Sequence, residues 1–110
     1  MYSSFMLSKR RKEEQALDRK WSEFILKRDS YTCRICGAEG TNPHHIFSRK
    51  HKNTRWNIQN GITLCYKHHR FAHEHPIAFW EAIKGEVNLE ELHRQAFIPI
   101  YNQELVANIP

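Results

Sequence analysis

Two short ligand pairs, Cys33-Arg-Ile-Cys36 followed at once by Gly37, and Cys65-Tyr-Lys-His68, restrict this chain more than any other feature. Each pair leaves two residues between its ligands, a spacing with which a tight turn presents two donors to one metal ion. Together they make a Cys3His set suited to a closed, tetrahedral structural zinc site, completed by His68 or by its neighbour His69. Cys33 and Cys65 stand thirty-two residues apart, so a shared ion clips the base of a hairpin made by the intervening segment. A redox-active Cys-x-x-Cys would need a βαβ setting, and the surrounding pattern offers none.

The length of 110 residues suits one domain, spanning 1–110, with a small core that gains from a metal. Three cysteines cannot all pair, and neither a hydrophobic leader nor a membrane-length apolar run is visible, so reduced cysteines in a cytoplasmic protein with no membrane partner are expected. The net charge of +5 points to a polyanionic partner, with DNA the first candidate.

Leu17, Trp21, Phe24 and Ile25 recur at helical spacing and predict an amphipathic helix over Lys9–Arg28, ended by the turn formers Asp29 and Ser30. The lead-in Met1–Ser8 carries no pattern and is expected to be loose unless Phe5 or Leu7 docks. His45-Ile46-Phe47 and Gly61–Leu64 read as two strands around a basic loop containing Arg49, Lys50, Lys52 and Arg55. A helix over His69–His75, stopped by Pro76, is followed by helices over Ile77–Lys84 and, from the capping residues Asn88 and Glu91, to about Gln95. The expected class is α+β, with terminal helices flanking a zinc-clipped hairpin.

Between and beside the cysteine pairs lie His44, His45, His69 and His73. On a helix, His69 and His73 sit one turn apart and can share an ion. Strand alternation sends His44 and His45 to opposite faces, so one can complete a three-histidine metal set while the other meets substrate. Three ligands leave positions open for water and phosphate oxygen, as a catalytic metal requires. A second structural zinc at the same residues is the competing reading. His51, His75 and His93 read as surface histidines.

His44-His45, Asn60 fifteen residues after His45, then His69 and His73 closely resemble the HNH endonucleases, whose fold is the ββα-metal core. The flanking cysteine pairs resemble the zinc-clipped members, many of them phage-encoded, which implies a bacterial or phage-infected host cell. The resemblance covers about 21–75. It implies that His45 is the general base, that His44, His69 and His73 hold one divalent ion at the scissile phosphate, and that Asn60 braces the hairpin loop. Many members carry Asp where His44 stands, and often Cys where His68 stands. An all-imidazole set favours Mn²⁺, Co²⁺, Ni²⁺ or Zn²⁺ over Mg²⁺.

The function these expectations describe is a nuclease that nicks one DNA strand per active site, with Arg49, Lys50, Lys52 and Arg55 meeting phosphates. Its activity should fall as pH drops through the histidine range. The rival is a zinc-dependent DNA-binding module without catalysis, which leaves the four histidines unexplained. Sequence preference and oligomeric state have no recognisable signal.

Overall fold

A computed structural model of the chain describes residues 4–98 and 107–110. The amphipathic N-terminal segment forms one helix, α1 (Ser4–Arg28), which begins before the expected Lys9. Residues 4–8 extend it because they contain neither Gly nor Pro to stop propagation. The side chains of Phe5 and Leu7 lie outside the described residues. Trp21 and Ile25 are buried, and with Trp56 they form a small core that Leu17, Phe24, Ile58 and Ile109 complete.

The helix unwinds through Ser30 and Tyr31, both in the left-handed region, where the Ser30 and Tyr31 amides donate back to Lys27 and Leu26 carbonyls. Asp29 does more than mark this turn. Its carboxylate is buried and accepts from Arg28, from Arg34 at 2.7 Å and from the Thr63 amide at 3.0 Å, which ties helix, knuckle and strand together.

Strands β1 (Asn42–His45) and β2 (Gly61–Leu64) pair antiparallel, with His44 opposite Ile62 and His45 opposite Gly61. The first strand therefore ends where it was expected to begin. Past His45 the ladder gives way: the Ile46 amide still reaches the Asn60 carbonyl, but the Phe47 amide donates to the Asn60 side chain at 2.8 Å. Asn60 closes a single 3-10 turn (Ile58–Asn60), and Gly61 after it is extended. Gly61 is needed for close approach: a Cβ there would lie 2.5–2.7 Å from atoms of Trp21 and Ile25. The basic loop holds a short helix, α2 (Lys52–Arg55).

After β2, α3 (Tyr66–Glu74) starts three residues earlier than expected because Cys65 is its N-cap, its Sγ accepting the His68 amide. Pro76 opens α4 (Pro76–Ile83), where a missing N–H costs nothing, and thereby separates it from α3. Asn88 caps α5 (Leu89–Ala96) through the Glu91 amide, while the Glu91 carboxylate turns to Arg94 and Gln95 instead of closing the capping box. Five helices and a two-stranded antiparallel sheet thus make an α+β fold among the described residues. The sheet divides the interior: Ile62 and Leu64 join the larger core with Phe79, Ile83, Leu92 and Ala96, whereas Gly61 and Thr63 face α1. The chain end returns to this side, with Ala107 bridging Trp56 and the Asn108 side chain accepting the Ile58 amide. None of the described helices is long and apolar enough to cross a membrane.

Candidate functional site

The two ligand pairs meet. One donor atom from each of Cys33, Cys36, Cys65 and His68 lies within 4.8 Å of the others. Cys36 and Cys65 sulfurs are 3.8 Å apart, and His68 Nδ1 stands 3.3 Å from Cys65 Sγ and 3.7 Å from Cys33 Sγ. Four such donors around a zinc ion, at bond lengths of about 2.3 Å to sulfur and 2.0–2.1 Å to nitrogen, are roughly 3.3–3.8 Å apart, so the set fits zinc. Gly37, at φ +78°, makes the knuckle turn, and its amide donates to the Cys33 carbonyl.

Electrostatics favour the thiolate at Cys33. Burial pushes the Cys33 thiol up, but the amides of Cys65, Cys36 and Ile35 outweigh it and hold the group at about 6. Cys36 moves the other way: the Ala38 amide lowers it, yet burial and the neighbouring sulfurs raise it overall. Crowded sulfurs that cannot all ionise alone are relieved by a shared cation.

His68 thus falls in the cysteine group and His69 in a second one. His44, His69 and His73 each offer a nitrogen within 4.8 Å of the other two, with no further cysteine, histidine or carboxylate in the group among the described residues. His69 and His73, one turn apart on α3, bring their Nε2 atoms to 3.2 Å. His44 reaches them from β1 because its side chain shares the sheet face of Ile62, opposite α3, and its ring meets Phe79 edge-on. Burial, reinforced by the His69 and His73 charges, depresses His44 to about 3; burial and then His73 lower His69. The lone pairs of these two rings therefore stay available to a metal below the ordinary histidine range. Three imidazole nitrogens this close could hold one metal ion.

His45 points to the other side of the strand. Its ring stacks on Trp21, its Nε2 donates to the Arg55 carbonyl at 2.9 Å, and burial takes it to about 4 against the opposing pull of that carbonyl. A carbonyl only accepts, so Nε2 carries the proton and Nδ1 keeps the lone pair. A cavity of about 630 Å³ reaches His45 and all three histidines of the metal group, with Asp18 and Arg49 on its wall. Asn60 is fully buried; Oδ1 accepts the Phe47 amide, and Nδ2 donates to the Phe47 and Thr54 carbonyls at 3.1 Å each.

The basic loop is less free than its composition suggests. Arg49 and Arg55 both bind Asp18, and Lys52 binds Glu14 at 2.7 Å, while exposed Lys50 has no ion pair among the described residues. Asp18, which also accepts from Trp56 Nε1 at 2.9 Å, is a site residue that sequence reasoning missed. Its only signal was its spacing: Glu14 and Asp18 stand one turn apart, on the face of α1 that meets the basic loop. His75 and His93 are exposed, and half-buried His51 lies against Phe97.

No family model, curated protein or solved structure matches the chain. The site's own geometry therefore carries the functional reading.

Proposed function

We propose that the chain is a metal-dependent endonuclease of the HNH type, hydrolysing DNA phosphodiester bonds and nicking one strand per active site. The observation that carries this reading is the shared cavity, onto which three converging imidazoles and the separately oriented His45 all open. In this reading β1, β2 and α3 are the ββα-metal core, and the Cys3His group holds structural zinc. His44, His69 and His73 hold the catalytic ion, which when bound stabilises charge on the scissile phosphate and the leaving 3′ oxygen. His45 takes a proton from the attacking water at Nδ1, its other nitrogen being committed to the Arg55 carbonyl. Asn60 fixes the backbone at Phe47 and Thr54, so the strand end bearing His45 cannot drift from the loop that orients it. Arg49 and Lys50, both exposed beside the cavity or its loop, meet flanking phosphates, and the net charge of +5 favours that partner.

The test is relaxation of supercoiled plasmid by the protein with Mn²⁺, Co²⁺, Ni²⁺, Zn²⁺ or Mg²⁺, repeated with His45→Ala. Nicked product with the softer ions and none from the variant is expected. Intact plasmid under every metal overturns the reading and leaves a zinc-dependent DNA-binding module; equal cleavage by His45→Ala removes His45 as base.

A further inference from the structure

The imidazole of His45 is gripped twice, and both grips lead back to α1. Its ring lies almost flat on the indole of Trp21, centroids 3.8 Å apart and planes 7° apart. That indole is itself fixed. Nε1 donates to the Asn57 carbonyl at 2.8 Å, and the six-membered ring fills the space left by Gly61, where a Cβ would stand 2.5 Å from Trp21 Cζ2. Gly61 is the hairpin partner of His45, so the missing side chain and the histidine lie side by side under the same indole. The second grip is the Arg55 carbonyl, and Asp18 holds the residue that supplies it, accepting from Arg55 Nε at 3.0 Å and Nη2 at 2.7 Å. The χ2 torsion of histidine has a broad minimum, so tilt and in-plane direction both need external fixing. Trp21 sets the first; Asp18, through Arg55, sets the second.

We infer that Trp21 is a positioning residue for the proposed general base, and that α1 belongs to the catalytic apparatus as well as to the core. The inference rests on the nuclease reading above. It is tested by steady-state cleavage of a labelled DNA duplex by the metal-loaded full chain, comparing wild type with Trp21→Leu, Trp21→Phe, Gly61→Ala and His45→Ala. Leu removes the aromatic face, Phe keeps an aromatic face while losing the Nε1 bond and one ring of the indole, and the Ala methyl at 61 crowds the indole and Ile25 beside His45.

The expected result is a fall in kcat of about 10- to 100-fold for Trp21→Leu, the scale of a misplaced reacting group. KM should stay within about twofold, because Trp21 is buried and offers the cavity almost no surface. Trp21→Phe should retain most of the rate, and Gly61→Ala should follow Trp21→Leu. Each rate is divided by the folded, zinc-loaded fraction measured on the same sample. If the whole loss in kcat is accounted for by that fraction, Trp21 is a core residue only and the inference is overturned. It is equally overturned if Trp21→Leu cleaves at the wild-type rate while His45→Ala is inactive. No cleavage by wild type defeats the nuclease reading itself, and this inference with it.

Discussion

Asp29 shows how much one buried carboxylate can organise. Burial pushes it up, but Arg28, the Thr63 amide and Arg34 together hold it down at about 2, from an ordinary 3.8. A depressed carboxylate contributes stability that is complete above the unfolded value and is lost as pH falls through the folded one. Asp29→Asn should therefore cost about 2–4 kcal/mol at neutral pH and flatten the loss of stability between pH 3.8 and about 2, read by denaturant unfolding across that window. Glu14 makes an opposite case. Its carboxylate engages Lys52, so Glu14→Gln should tighten binding to a DNA duplex and steepen its salt dependence by about one unit per cation that gains a phosphate. Unchanged affinity and slope would place Lys52 outside the interface. The metal-group residues were legible because ligand spacing is a local signal. Asp18 and Asp29 were not, because an acidic residue looks the same in sequence whether it faces water or partners brought from a distant segment, Arg49 and Arg55 for Asp18 and the Thr63 amide for Asp29.

At the scale of elements, α1, α3, α4, α5 and the second strand were readable from periodicity and caps, while the short α2 inside the basic loop and several boundaries were not. β1 ends at His45 because the Asn60 side chain takes over the Phe47 amide, and α3 begins early because a sulfur caps it. The first exchange joins residues thirteen apart and is invisible in a window of neighbours; the second is local, but sulfur is not among the side chains that ordinarily signal a cap. Asn60→Ala would leave the Phe47 amide and the Phe47 carbonyl without partners in a buried loop and take one donor from the Thr54 carbonyl, which keeps the Asn57 amide, and a loss of about 2–3 kcal/mol is expected in unfolding of the zinc-loaded protein. The knuckle can be probed separately. Cys36→Ser should lower zinc content and the melting temperature together, because a closed site contributes its binding free energy to folding; full zinc occupancy with unchanged melting would refute the assignment.

For the whole molecule, the sheet is a partition between two cores, and the adjacent His44 and His45 serve opposite sides of it. That division was legible from strand alternation. The role of α1 as a wall of the cavity was not, because nothing in a helical stripe says which strand it will cover. The cap of α3 has a last consequence. Cys65 both belongs to the Cys3His group and seals the helix that carries His69 and His73. An ion in either group would restrain the same nine-residue lever, and two such binding equilibria would be thermodynamically linked. Calorimetric titration should show Ni²⁺ or Mn²⁺ entering the three-histidine group about tenfold more tightly when zinc fills the other, and linkage requires zinc to gain by the same factor in return.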